Sequence, residues 1–198
     1  MPTGVHLRDV RKQLFDAAER VLLRDGPGAL TSRAVTTEAD VAKGVLHRHF
    51  ADFDDFLAEF VRERITRLAD QAALLRAAAG TRTVAGNVVD ALIELFDPVT
   101  VALTSLLFFR DELRARLRKQ HGLPILTEAR VMLSGYLSAE REQGRIAVDA
   151  EVDSLALSLI GAAHLFFAGR RRGTLPDNGE LVKTVHTVLA DVLQRRLL

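Results

Sequence analysis

Helix-breaking residues recur along this chain at helix-length intervals, and no segment sustains the apolar-polar alternation that a half-buried strand requires. Apolar residues return instead every three or four positions, the spacing that puts them on one side of an α-helix. Breaks fall at Gly80, Asp97-Pro98, His121-Gly122-Leu123-Pro124, Gly144 and Gly173 to Gly179. They predict helices over 7–25, 32–39, 43–49, 53–79, 83–96, 99–109, 111–120, 124–143, 150–171 and 179–196. The expected fold class is all-α, with an N-terminal helix-turn-helix head of three helices followed by a larger helical body. At 198 residues and 48% apolar content the chain has enough material to bury a core in each part. The boundary is expected at about residue 52, giving a head over 1–52 and a body over 53–198. Asp52, Asp54 and Asp55 then stand in the first turn of the long helix, where carboxylates complement the positive end of the helix dipole.

The most specific stretch is LTSRAVTTEADVAKGVLHRHF, from Leu30 to Phe50. The Thr31 hydroxyl is placed to cap a first short helix whose inner side is Ala34, Val35 and Ala39. A turn at Ala39-Asp40-Val41-Ala42 precedes a second helix. In that helix Val45 and Leu46 face inward while Lys43, Gly44, His47 and Arg48 stay available to a partner. Two short helices around such a turn read as a helix-turn-helix, the second helix being the one that enters a DNA groove.

This run resembles the DNA-binding domain of the TetR family of bacterial transcriptional regulators. Leu30, Thr31, Arg33, Ala39, Val41, Gly44, Leu46, His49 and Phe50 fit the family pattern. So do the flanks, Arg24-Asp25-Gly26-Pro27-Gly28 before it and Asp52-Phe53-Asp54-Asp55-Phe56-Leu57 after it. The resemblance implies a double-stranded DNA operator as partner. It assigns Lys43 and Gly44 to base edges or close backbone approach, and Thr31, Arg33, His47, Arg48 and His49 to phosphates.

Four departures fall on that surface. Asp40 stands where the family has Gly, at a turn position expected to need a left-handed backbone, which Asp tolerates better than most residues. Ala42 replaces the customary Ser cap of the reading helix, so Asp40 is a candidate cap from further back. His47 replaces a Tyr, and Phe53 a phosphate-binding Lys. From Thr31 to Asp52, Arg33, Lys43 and Arg48 stand against Glu38, Asp40 and Asp52, so the motif is formally neutral, with His47 and His49 able to add charge as pH falls. The whole chain carries a formal charge of only +1, which points to no particular partner.

Toward the C-terminus two helices carry apolar stripes. Leu155, Leu159, Ala162 and Phe166 line one, and Leu181, Val185, Val188 and Val192 the other. The first also has a second apolar face at Leu157, Ile160, His164 and Phe167, so it needs cover on both sides. Either both faces are internal core, or the stripes of two chains form a four-helix homodimer interface, as the resemblance implies. In mid-body, large apolar residues cluster over 92–109 and 132–137. The resemblance implies an effector pocket there, with Phe96, Leu103, Leu107, Phe108, Met132, Tyr136 and His164 as lining candidates and a small lipophilic effector as ligand. Thr104, Ser105, Tyr136 and His164 are either polar anchors for it or satisfied core groups.

Catalytic classes find no support. The sequence lacks a nucleophile elbow and a Gly-rich phosphate loop, and its six histidines have no zinc-type spacing. No enzyme activity, catalytic residue, metal or cofactor is expected. Without cysteine there is neither disulfide nor thiol switch. The first residues lack the apolar run of a signal peptide and the longest uncharged stretch, Ser154 to Gly169, is too short for a bilayer, so a cytoplasmic location with no membrane partner is expected. The reading is a ligand-responsive transcriptional regulator, a repressor binding a palindromic operator as a dimer and released by its effector. The rival is a helical ligand- or protein-binding dimer with weak or no operator binding.

Overall fold

The computed structural model of the chain describes residues 3–117, 123–169 and 177–195, with side chains over 10–117, 123–169 and 177–193. Ten α-helices account for the described secondary structure apart from a single 3-10 turn at Pro27–Ala29. They are α1 (Thr3–Asp25), α2 (Ser32–Glu38), α3 (Gly44–His49), α4 (Phe53–Ala77), α5 (Val84–Leu95), α6 (Pro98–Phe108), α7 (Asp111–Leu117), α8 (Pro124–Glu142), α9 (Val152–Ala168) and α10 (Gly179–Arg195). No strand occurs among the described residues, and the helix boundaries lie within a few residues of those the breaks predict. The end expected for the helix over 111–120 and the Gly173 break lie outside the described residues.

The chain forms two compact units, one of Met1–Arg64 with Pro98–Pro124, the other of Ile65–Asp97 with Ile125–Leu198. The unit that holds the head also takes in the first part of α4 together with α6 and α7. The reason is apolar: Phe56, Leu57, Phe60 and Val61 of α4 are fully buried in it, and so are Leu103, Leu107 and Leu113 from α6 and α7. Around Phe15 of α1, the rings of Phe50, Phe56 and Phe60 pack at centroid distances of 6.0, 5.5 and 5.5 Å. Phe53 extends this cluster by stacking on Phe56 at 5.6 Å, which accounts for an aromatic residue at that departure from the family pattern.

Two ion pairs tie α7 and the residue before it to the start of α4. Arg116 donates to both carboxylate oxygens of Asp52 at 2.8 and 2.7 Å, and Arg110 to Asp54 at 3.0 Å. Asp52 also accepts from the Asp55 backbone N–H at 2.7 Å, so it caps α4 as well as pairing with Arg116. The guanidinium bond is the first cause holding the Asp52 carboxyl below its ordinary range.

In the second unit α10 packs against α5 and α9. Leu181, Val185, Leu189 and Val192 form its buried side. A charged network is sealed inside this unit. Glu140 of α8 is completely buried and accepts from the Tyr136 hydroxyl at 2.5 Å and the Gly80 N–H at 3.4 Å. Arg145 pairs with it at 3.2 Å and donates on to the carbonyls of Thr81 and Arg82. Asn87 of α5 donates to Tyr136 Oη and to the carbonyls of Ala78 and Thr81. The turn from α4 to α5, with Gly80 and Arg82 both at positive φ, is thus held by α8 and the residues after it.

Candidate nucleic-acid interface and ligand cavity

Thr31 caps α2 as the sequence predicts, its hydroxyl accepting from the Ala34 N–H at 3.1 Å. The far end of α2 closes in a Schellman arrangement. The Val41 N–H bonds Thr36 O at 3.0 Å and the Asp40 N–H bonds Thr37 O at 3.1 Å, with Asp40 left-handed at φ 51°. The left-handed backbone expected of Asp40 is present, but its proposed role as cap of the reading helix is not. The first residue outside α3 is Lys43, and no side chain caps that helix. Asp40 belongs to the termination of α2, three residues too early to reach free N–H groups of α3. The turn is braced from α1, where Gln13 Nε2 donates to Ala39 O at 2.8 Å.

Leu46 is fully buried beneath α3 and Val45 half-buried. Of the seven residues assigned to DNA, Thr31, Arg33, Lys43, Gly44, His47 and Arg48 are exposed, and His49 is half-buried with its ring 6.5 Å from that of Phe50. A Cβ at Gly44 would meet nothing within 4 Å, so the helix start is open to close approach from outside.

The electrostatics differ from the formal count. Glu38 accepts from Arg20 and from Arg24, each at 2.7 Å, and these two guanidinium groups hold its carboxyl below the ordinary range. Asp52 is taken up by Arg116. Two of the three acids that cancel Arg33, Lys43 and Arg48 are therefore neutralised by arginines outside the motif. Asp40 is the one acid of the motif outside these pairs. The face is more positive than its sequence suggests, in the direction that phosphate binding requires.

In the second unit a cavity of about 170 Å³ opens beside α4, α5 and α8. Leu75, Asn87 and Met132 are its buried lining, Ala78 and Ala91 leave the room, and Gln71, Leu74, Arg82, Asp90 and Glu94 stand at its exposed or half-exposed edge. Of the seven residues proposed for an effector pocket, Met132 alone lines it. Leu103 and Leu107 are core residues of the first unit, and Phe108, in the same unit, is exposed. Phe96 stacks on Phe167 and packs near His164, whose imidazole is held below its ordinary pKa by burial. Tyr136 is bonded within the Glu140 network. Nothing in the sequence distinguished Gln71, Asn87 or Glu94, because a cavity depends on which small residues of different helices meet.

The residues proposed for a dimer interface divide as well. Leu159, Leu181, Val185 and Val192 are buried within the chain, whereas Leu155, Ala162, Phe166 and Val188 are half-buried. The apolar residues that α9 leaves uncovered are Leu157 and Leu165, 59% and 78% exposed, four residues to either side of exposed Gly161. Arg170-Arg171-Arg172, a candidate C-terminal cap of α9, lies outside the described residues. Among the described residues no group of three or more His, Asp or Glu is placed to hold a metal ion, and no single helix is long and apolar enough to cross a membrane.

The profile of the bacterial regulatory proteins, TetR family, matches residues 14–60, from α1 through the Schellman turn and α3 into α4. The head is a TetR-family domain. Beyond the head, solved structures share the fold. The fatty acid degradation regulator FadR from Bacillus halodurans is similar over 90% of this chain and 96% of its own, at 19% identity and a TM-score of 0.68. The transcriptional regulator FadR from Bacillus subtilis, solved with stearoyl-CoA, covers 92% and 97% at 18% identity and 0.64. A gamma-butyrolactone receptor (ArpA-like protein) covers 97% and 100% at 20% identity and 0.59. At these identities the likeness establishes a shared fold, a TetR-family head followed by a helical body. No curated protein matches the sequence.

Proposed function

We propose that this protein is a ligand-responsive transcriptional repressor that binds a palindromic operator as a homodimer and releases it when a small lipophilic effector occupies the body. The observation that carries the reading is the TetR-family head with Arg33, Lys43 and Arg48 exposed while Glu38 and Asp52 are neutralised by arginines elsewhere. Thr31, Arg33, His47, Arg48 and His49 take phosphates, and Lys43 and Gly44 approach the bases. A second copy of the chain supplies the other reading helix, so that two helices about 34 Å apart enter successive major grooves. The Leu157–Gly161–Leu165 stripe of α9 is the natural seat for that copy, since it is apolar, uncovered and able to meet its own equivalent about a two-fold axis. Similar folds that include a fatty acid regulator and a butyrolactone receptor support effector control.

Fluorescence anisotropy with the DNA flanking the protein's own gene tests operator binding, and sedimentation at micromolar concentration tests the dimer. Specific binding of one dimer per site is expected. A second reading, a helical dimer that binds ligand or protein but grips DNA weakly, is favoured by the uncapped start of α3 and the exposed Asp40. A dimer without sequence-specific affinity would establish it in place of the first.

A further inference from the structure

We infer that the cavity beside α4, α5 and α8 takes a small amphiphile with a hydrogen-bond donor or ammonium head, and not a carboxylate or a long acyl thioester. The inference rests on the ligand-responsive reading above and gives it a chemical class. Size is the first constraint. The cavity is about 170 Å³, whereas sites for drug-sized ligands run from about 300 to 1,000 Å³. At about 30 Å³ per water in the liquid, it holds the equivalent of roughly five or six waters. A chain of about six carbons fills that space, and a long acyl chain would have to run out past its open side into solvent.

Polarity is the second constraint, and at the cavity acids outnumber bases. Arg82 Nη1 donates to Asp90 at 2.5 Å and Gln71 Nε2 to Glu94 at 2.9 Å. The Asn87 amide nitrogen is shared among Ala78 O, Thr81 O and Tyr136 Oη. Acceptor capacity remains on the carboxylates of Glu94 and Asp90 at the rim, and the donors Nε and Nη2 of Arg82 lie on the same rim. One arginine against two acids leaves the lining with a formal charge of −1. An anionic head would face two carboxylates and share the single guanidinium with Asp90. A donor or ammonium head can take the Glu94 or Asp90 carboxylate while its tail lies on Leu75 and Met132.

Isothermal titration of the full chain with hexylammonium, 1-hexanol, hexanoate and stearoyl-CoA tests this. Affinity should fall in the order hexylammonium, hexanol, hexanoate, with no binding of stearoyl-CoA at this cavity. Glu94→Gln should weaken hexylammonium by about three- to fivefold, the range of a solvent-screened ion pair, and leave hexanol unchanged. Ala91→Phe should remove both by filling the space, and if it disturbs folding the Glu94→Gln comparison stands alone. The inference is overturned if hexanoate or stearoyl-CoA binds more tightly than hexylammonium, if Glu94→Gln leaves hexylammonium unaffected, or if no probe binds. Operator release measured alongside separates the two levels. Release by an anionic ligand with no binding of hexylammonium refutes the chemical class and keeps the regulator. Glu94-dependent binding without any operator binding keeps the class and refutes the regulator.

Discussion

Truncating Glu140 should unfold the second unit long before it disturbs the first. Its carboxylate is fully buried and serves the Tyr136 hydroxyl, the Gly80 N–H and the Arg145 guanidinium. Removing one partner of a buried ion pair costs about 3–5 kcal/mol. Glu140→Ala should lie near the lower end, about 3 kcal/mol, because Arg145 keeps the carbonyls of Thr81 and Arg82, and Tyr136 keeps Asn87. Glu140→Gln retains an acceptor for Tyr136 and Gly80 and gives up only the charge, a loss of about 1–1.5 kcal/mol from the difference between charged and neutral hydrogen bonds. Replacing Glu140 by Leu and Arg145 by Met together should recover part of the Ala loss, since no charge is then left buried. Urea unfolding followed by tyrosine fluorescence reads this unit directly, because Tyr136 is the single tyrosine and the chain has no tryptophan. Far-UV circular dichroism on the same samples reports all helices, so the Ala variant should show a tyrosine transition at lower urea than the helical one. A Glu140→Ala cost below 1 kcal/mol, or a Gln variant as damaged as the Ala variant, would refute the view that charge pairing holds the α4–α5 turn.

Burial, reinforced by the Glu140 carboxylate, raises the Tyr136 phenol above its ordinary pKa. Its stabilising effect is complete below the unfolded value near 10 and is lost as pH rises toward the folded one, so no phenolate absorbance should develop above pH 10 until the unit unfolds. His164 is shifted the other way by burial. The unfolded chain binds its proton first, so stability should decline as pH falls below about 6.5, and His164→Leu should flatten that decline in thermal melts. Asp40→Gly should relieve a left-handed backbone at φ 51° for up to about 1 kcal/mol, and it removes the last unneutralised acid from the reading face. Operator affinity should therefore rise with stability unchanged or higher; weaker binding would mean that Asp40 contacts the DNA productively.

What the residues revealed in advance was local. Breaks at Gly80, Pro98 and Gly144 fix helix ends because a backbone without an N–H or with a positive φ ends a helix whatever surrounds it. Thr31 and the left-handed Asp40 are legible for the same reason, since cap and turn are built within a few residues of themselves. Asp40 failed as a cap for α3 because the same residue was already closing α2, a competition that spacing does not reveal. The reading face looked neutral because Arg20, Arg24 and Arg116, the partners of its acids, lie outside the motif. Likewise the stripes of α9 and α10 were visible as apolar, but which one the chain covers itself is a matter of packing. Leu159 turns inward while Leu157 and Leu165 are left outside.

The first unit joins Met1–Arg64 to Pro98–Pro124, and the second segment brings Leu103, Leu107 and Leu113 fully into its core. The head therefore completes its core with residues distant in sequence. A fragment ending at Arg64 would carry the whole reading motif but lose the part of the cover of α1 that α6 supplies, and would lose Arg116 and Arg110 from the start of α4. Fusing this motif to another body would require bringing those twenty-seven residues along. A motif moved without them should be less stable than it is here, by the burial of Leu103, Leu107 and Leu113 that it gives up.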